Sequence, residues 1–149
     1  MSDPLRLRVI DAVVSALKAI KKENGYYFTP AEVSTQAIVF QETLSYPRYS
    51  VALESTRVEE RAYHSLDETM IVSIRGLIKS PDPVRDILKA SQDVRAALEA
   101  SAVSGALRDL GAIVNGGEMT TDAGLLSADR YGLFDLRFEI LVSGYYDGL

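Results

Sequence analysis

The chain has 149 residues, of which 47% are hydrophobic and 25% are charged. These are ordinary globular values that exclude a disordered or collagen-like chain, and the length predicts a single domain spanning residues 1–149. Twenty-one acidic residues oppose 16 scattered basic ones, for a net charge of −5, and this distribution argues against nucleic acid as a partner.

The first predicted element is an amphipathic helix from about Pro4 to Glu23. Apolar residues recur there at three- and four-residue spacing, Ser2 is the expected N-cap, and Asn24-Gly25 is a typical stop. Acidic residues inside this pattern exclude a signal peptide. Since no apolar run approaches the ~20 residues that span a bilayer, the sequence predicts a soluble protein with no membrane partner.

Three strands are predicted next. The first is the β-branched segment from Val33 to Gln41, and the second begins at Tyr46-Pro47 and alternates through Leu53. The third carries an apolar row, namely Met70, Val72, Ile74 and Ile78. The charged stretch between the last two strands, about Glu54 to Asp67, predicts the long polar tip of a β-hairpin, which is either a contact arm or a plain mobile loop.

A second amphipathic helix is predicted after this hairpin. It begins at Pro83 with Asp82 as N-cap and ends by Gly105, and Asp93 is assigned to its polar side. The following ALRDLGAIV predicts one helical turn and then a strand interrupted at Asn115–Gly117. EMTTDAGLLSADRYG predicts a loop or a weak edge strand.

The closing segment RYGLFDLRFEILVSGYY alternates between apolar and polar residues. The apolar row is Phe134, Leu136, Phe138, Ile140 and Val142, and the charged row is Asp135, Arg137 and Glu139. Such a strand is typical of a sheet covered on one side only. Together the elements predict an α+β two-layer sandwich with an antiparallel or mixed sheet of four or five strands, two main helices on one face and a long β-hairpin.

No residues of the sequence form a convincing active site. His64 is the only histidine and lies in the charged tip, where an exposed bystander is the better interpretation. The carboxylates Glu59 and Glu60 lack the spacing of a calcium loop, as do Asp122 and Asp129. Asn115–Gly117 lacks the lysine of a P-loop, and the absence of cysteine removes thiolate chemistry. We therefore expect no catalytic residue, no metal site and no cofactor.

Two tyrosines, Tyr145 and Tyr146, lie close to the C-terminus. Tyrosine is enriched at protein interfaces, so both are candidate contact residues. The alternative is the edge of the core, with each hydroxyl reaching water.

The order of these features over nearly the whole chain resembles the tail-terminator and tail-completion proteins of long-tailed bacteriophages. The resemblance begins with the N-terminal amphipathic helix and the following YYFTPAEVSTQAIVF. It continues through YPRYSVALESTRVEERAYHSLDETMIVSIRGLIKSPDPVRDILKASQDVRAAL, and ends with a TTDAG loop and YGLFDLRFEILVSGYY. Other small neck and head-tail joining proteins of such phages share much of this pattern.

The resemblance implies a structural virion protein, assembled in the host cytoplasm, with no catalytic residues. It implies a hexameric ring at the head-proximal end of the tail tube that stops tube polymerisation and docks the head connector. The partners would be other copies of the chain, the tail tube protein and the connector protein. The implied contact residues, for which a solvated surface is the alternative, are Arg57, Glu59, Glu60, Arg61, Asp135, Arg137 and Glu139.

Two functions from other classes remain open on the sequence. One is a small enzyme or ligand-binding domain, which would be marked by polar side chains converging on a pocket between sheet and helices. The apolar row of the closing strand contributes none. The other is a regulatory binding module that remains a monomer or dimer.

Overall fold

The computed structural model describes residues 3–36, 45–62, 65–126 and 129–145, and for residues 60–62, 65, 122–126, 129, 144 and 145 it describes the backbone alone. The elements, in chain order, are helix α1 (Leu5–Lys18), a 3₁₀ turn (Lys22–Asn24), β1 (Glu32–Ser34), β2 (Arg48–Ala62), β3 (Ser65–Lys79), α2 (Pro83–Ser104), α3 (Ala106–Asp109), β4 (Ile113–Leu126) and β5 (Asp129–Tyr145).

The five strands form one mixed sheet in the order β1-β2-β3-β5-β4. β1 is parallel to β2, and every other neighbouring pair is antiparallel. The sheet therefore consists of two long hairpins, β2-β3 and β4-β5, joined by β3 and β5, with the short β1 added at one side. The predicted α+β fold with a mixed sheet and two main helices is confirmed, with two long hairpins where one was predicted.

The core lies between one face of the sheet and the helices. The apolar row of β5 is buried as predicted, and the register places Ile74, Val72 and Met70 of β3 directly opposite Leu136, Phe138 and Ile140. The apolar stripes of α1 and α2 pack against this surface and include Val9, Val13, Leu17, Ile87, Val94 and Leu98. Apolar side chains buried in this way contribute about 1.5–3 kcal/mol each to folding.

The first helix is shorter than the sequence predicts. It begins at Leu5 with Pro4 in the N-cap position, and the predicted cap Ser2 lies outside the described residues. It ends at Lys18, because the Asn24 side chain donates to the Ala19 carbonyl at 3.0 Å, and the chain continues as the 3₁₀ turn. Gly25 ends that turn with φ of 91°, so the predicted stop terminates the 3₁₀ turn.

The first predicted strand is also shorter where the structure describes it. β1 ends at Ser34, whose hydroxyl accepts from the Gln36 amide at 3.3 Å. The Gln36 carbonyl in turn accepts from the Ser50 hydroxyl at 2.6 Å. These side-chain bonds compete with the strand ladder and turn the chain. The rest of the predicted strand, from residue 37 on, lies outside the described residues.

The predicted polar hairpin tip is wrong over most of its length. β2 continues to Ala62 and β3 begins at Ser65, so strand replaces loop through Glu54–Asp67 except at residues 63 and 64, which lie outside the described part. The register shifts between Leu53 and Ser55, which marks a bulge at Glu54. After the bulge, β2 resumes its alternation, and its charged side chains Arg57 and Glu59 are exposed to solvent. Charged side chains on a solvent-exposed face do not interrupt a strand, so the charge of this segment did not indicate a loop.

The segments around the second helix follow the sequence more closely. Asp82 caps α2 by accepting from the Arg85 amide at 3.3 Å, and the predicted single helical turn is α3. The weak edge strand is β4, which continues through Asn115–Gly117 with a register shift between Gly116 and Met119. A Cβ at Gly117 would lie 2.0 Å from the Arg137 carbonyl oxygen, so only glycine allows this close approach of backbones.

We expect Gly76→Ala to lower the free energy of unfolding by about 1–3 kcal/mol, as overpacking does. The new Cβ would lie 2.3 Å from two ring atoms of the fully buried Phe134, whose ring is also held by Tyr49 at a centroid distance of 5.9 Å. Gly116→Ala is the matched control, since its nearest neighbour would be the Arg95 guanidinium at 3.4 Å. Urea titrations of the two variants check this, and equal stability of both would contradict it.

Candidate interaction surface

The sheet has a face turned away from the helices, which we call the uncovered face. It is formed by the side chains that alternate with the buried rows. The register places these residues on it: Arg57 and Glu59 of β2; Asp67, Thr69, Ile71, Ser73 and Arg75 of β3; Asp135, Arg137, Glu139, Leu141 and Ser143 of β5; and Ile113, Asn115 and Thr120 of β4.

Ladder register brings together two groups of predicted contact residues that are far apart in sequence. Arg57 of β2 stands opposite Thr69 of β3, which stands opposite Leu141 of β5. Ile71 in the next row stands opposite Glu139. Since neighbouring strands lie about 4.8 Å apart, Arg57 and the charged row of β5 belong to one surface about two strand spacings wide.

The remaining predicted contact residues are described less fully. Glu60 and Arg61 belong to β2, and Tyr145 pairs with Ser65 at the end of β5, each with its backbone described. Tyr146 lies outside the described residues, and so does His64. Their predicted roles stay predictions.

Part of the charged row is already paired within the chain. Asp135 accepts from the Ser73 hydroxyl and from Arg75 Nη2, the latter at 3.3 Å. Arg137 Nε lies 3.2 Å from Glu54 Oε2 at the β2 bulge. Such exposed pairs add only about 0–1 kcal/mol each to stability, but they fix side-chain directions on this face.

Glu139 differs from its two neighbours in the charged row. It is exposed, and among the described residues it has no ion-pair or hydrogen-bond partner. Ile71 and Asn115 stand beside it on the adjacent strands. Glu139 is therefore a carboxylate that a partner could engage without first breaking a bond inside the chain.

Besides Leu77, Tyr131 and Leu133 near one end of the uncovered face, three apolar side chains lie among its charged residues, and the sequence did not reveal them. Ile71 and Leu141 are half-buried and Ile113 is exposed, and they lie among the charged residues. Apolar groups inside a polar rim are a common composition for a protein interface. The runs AIV and EILV contain two of them, but a continuous apolar run does not reveal which residue points to which face.

The helical side of the sheet holds two buried carboxylates that the sequence analysis also missed. Asp93, assigned to the polar side of α2, is 2% exposed and accepts from the backbone amides of Tyr27 and Phe28 at 3.0 Å each. Burial raises the pKa of Asp93, and the two amide bonds oppose that shift in part. Burial likewise raises the pKa of the Tyr49 hydroxyl, and the nearby charge of Asp93 raises it further.

The second buried carboxylate, Glu68, is 1% exposed and lies among the apolar residues of β3. Its Oε1 accepts from Arg6 Nε of α1, while its Oε2 has no hydrogen-bond partner in the described part of the chain. The contact joins the first turn of α1 to the half of β3 that carries Thr69 and Ile71 on its other face.

These carboxylates do not form a reaction site. Each oxygen of Asp93 accepts one backbone amide, and both Asp93 and Glu68 are buried, so neither side chain is open to a substrate. A groove of about 230 Å³ between α1 and α2 is lined mainly by alanine, serine and glycine, with no charged side chain. In the described ranges, no three histidine, cysteine, aspartate or glutamate residues are placed to hold a metal ion.

The helices that the structure describes include none with the length and apolar character needed to cross a membrane. Comparison of the sequence with protein-family models and with curated proteins gives no match.

Proposed function

We propose that the chain is a structural assembly protein of the tail-terminator or tail-completion type, without enzymatic activity. In this role its copies form a ring, expected to be a hexamer, at the head-proximal end of a long phage tail. The ring stops tube polymerisation and joins the tail to the head connector. The protein acts in the neck region of the virion, and its contacts are with other copies, the tail tube protein and the connector.

One observation carries most of the proposal, namely the composition of the uncovered face. Arg57 and Glu59, which form an ion pair at 3.4 Å, lie on this face together with Ile71 and Leu141. Glu139, which has no partner among the described residues, lies there as well. A broad, polar, partly apolar sheet surface suits contact with protein better than binding of a small molecule, which needs a concave pocket of about 300–1,000 Å³. The groove between α1 and α2 is smaller than such a pocket and offers no charged group.

The direct test is deletion of the gene from the phage genome that encodes it, followed by electron microscopy of the tails. Without a terminator, tube polymerisation continues past the normal length, so we expect long, irregular tails without heads. Tails of normal, regulated length would overturn the proposed function. The purified protein should in addition scatter light as a particle of six times its 16.3 kDa mass.

We expect Glu139→Lys to lower the yield of infectious particles by about tenfold or more, because a reversed charge at an interface opposes docking. Glu139 is exposed and unpartnered among the described residues, so the fold and its melting temperature should be unchanged. Glu99→Lys, at an exposed position of α2, is the matched control and should leave the yield at the wild-type level. Equal yields of infectious particles from both variants would contradict the proposal that the uncovered face is a contact surface.

A further inference from the structure

Besides the short β1, two long strands of the sheet have one side that is without a partner, over most of its length, in the described part of the chain. β1 pairs with β2 only at Arg48–Ser50, so β2 from Val51 to Ala62 is paired on the β3 side alone. β4 lies last in the sheet and is paired on the β5 side alone, from Ile113 to Leu126. We call these two segments the unpaired edges. Their outward amide and carbonyl groups are a template for another strand.

Neither unpaired edge has the short length, the proline or the lysine that commonly protect an edge, although both carry charged side chains and a bulge. Edges in monomeric proteins are commonly short, or interrupted by proline, or guarded by lysine. Both edges here are long, and neither β4 nor β2 contains a proline or a lysine. Each has a bulge, at Glu54 in β2 and between Gly116 and Met119 in β4, and pairing resumes beyond it.

The exposed apolar residues of the sheet lie on the same two strands. Among the large hydrophobic residues that the structure describes as exposed, the sheet contributes Val58 of β2, at 41%, and Ile113 of β4, at 57%. The register puts them at nearly the same height of the sheet, since Val58 aligns through Glu68 with Val142, and Ile113 aligns with Leu141. A strand added at either edge would cover one of them.

Strand direction and charge favour one way of pairing two copies. β2, β3, β5 and β4 alternate in direction, so β2 and β4 of one copy run in opposite directions. A second copy that is rotated about an axis parallel to the strands therefore places its β2 antiparallel to β4 of the first copy. β4 contains Glu118 and Asp122 and no basic residue, so pairing of β4 with β4 sets acid against acid. β2 carries Arg57 and Arg61 beside Glu54, Glu59 and Glu60, and Arg57 is paired with Glu59 at 3.4 Å. Of the two unpaired edges, β2 is thus the one that offers basic groups to the acidic residues of β4.

We infer that β4 of one copy pairs with the unpaired edge of β2 in the next copy, in a head-to-tail interface that repeats around a ring. Such a heterologous contact uses two different surfaces of each copy and closes when the rotation completes a circle. The occupant of each unpaired edge is thus a second copy of this chain. The inference rests on the proposed ring and needs nothing from the tail tube or the connector.

The test uses one variant for each side of the interface. Arg57→Glu makes the β2 edge acidic against β4, and Ile113→Lys places a charge on the β4 edge at an exposed apolar position. The matched controls lie on α2, away from both edges: Arg85→Glu, and Val103→Lys at a position 66% exposed. Light scattering measures the mass of each variant, and thermal melting checks that each is folded.

The wild type and both controls should form rings, and each edge variant alone should be monomeric. An equimolar mixture of Arg57→Glu and Ile113→Lys should associate again, because each variant supplies the intact edge that the other lacks. The inference would be overturned by rings of either edge variant alone or by a mixture that stays monomeric. A stable dimer of Arg57→Glu alone would also overturn it, because it would show that β4 pairs with β4. A wild type that stays monomeric at its solubility limit would overturn it as well.

Hydrogen exchange on the wild type gives a second measurement that needs no variant. Amides of Val51–Ala62 and Ile113–Leu126 should exchange more slowly in the ring than in dilute monomer, whereas equal rates would contradict edge pairing. If these tests fail, the edge pairing is rejected, and the proposed function is still tested separately by the length of the tails after gene deletion. Normal tails after gene deletion, with edge pairing intact, would reject the function and keep the interface.

Discussion

Arg6→Met is expected to lower the free energy of unfolding by about 3 kcal/mol at neutral pH, because it leaves a buried carboxylate with no partner. Glu68 is 1% exposed, and its Oε2 already lacks a hydrogen bond in the described part of the chain. Arg6 Nε supplies the donor to Oε1, and the Arg6 side chain remains 52% exposed. Solvent reaching the site limits the loss, so the value belongs at the lower end of the usual range for broken buried pairs.

Adding Glu68→Met to the Arg6→Met variant should restore about 2 kcal/mol or more, since an apolar side chain in an apolar site carries no desolvation penalty. A double-mutant cycle in urea measures this coupling directly. Arg85→Met, at an exposed arginine of α2, serves as the control and should change stability by less than about 0.5 kcal/mol. A loss from Arg6→Met no larger than that of the control would contradict the assigned role of the pair.

The contact between Arg6 and Glu68 also bears on the candidate surface. Glu68 stands between Val58 and Val142 in the ladder, one row from Thr69 and Leu141 of the uncovered face. The ion pair therefore holds α1 against the helical face of the sheet, at the part whose opposite face carries Arg57 and Glu59. A weakened pair should loosen that half of the hairpin first, which faster amide exchange in residues 56–60 would reveal.

Periodicity carried enough information to predict most of this fold. The strict alternation of β5 separated its buried row from its charged row, and the structure confirms every member of the buried row. Asp82 and Pro83 located the start of α2 because a cap and a proline act within one turn of chain. Signals of this kind are local, so they need no knowledge of the tertiary structure.

The sequence failed where the deciding contact lies far along the chain. The charges between Glu54 and Asp67 suggested a loop, yet pairing with β3 and β5 holds them in strands. Burial of Asp93 depends on amides 65 and 66 positions earlier, and burial of Glu68 on Arg6, 62 positions earlier. No local pattern distinguishes such a carboxylate from an exposed one. The unpaired edges likewise follow from strand order, which the sequence left open.

Asp93→Ala is expected to lower the free energy of unfolding by about 2 kcal/mol, because it leaves two backbone donors without acceptors. The amides of Tyr27 and Phe28 each donate to one carboxylate oxygen at 3.0 Å and so hold the connection between α1 and β1 against α2. Lys89 Nζ reinforces the same contact from 5.4 Å above the Tyr27 ring. Chemical denaturation measures the loss, and Gln92→Ala, at the exposed neighbouring position, is the control.

The size of this loss should depend on pH. Burial raises the pKa of Asp93 in the folded state above its unfolded value of 3.8, so the folded chain binds a proton more tightly than the unfolded chain does. The stabilisation from Asp93 is therefore fully present below pH 3.8 and falls as pH rises through the raised folded pKa. Above that pKa only the hydrogen bonds to the charged form remain, offset by its desolvation.

The difference between wild type and Asp93→Ala should accordingly be larger near the unfolded pKa than at neutral pH. Asp93→Asn separates the hydrogen bonds from the charge, since its amide keeps one acceptor but turns an NH₂ group toward the second backbone donor. Its difference from Asp93→Ala should stay constant across the same pH range, because neither side chain titrates. A wild-type advantage over Asp93→Ala that grows as pH rises would show that the two amide bonds outweigh burial, and would reverse the sign assigned to the pKa shift.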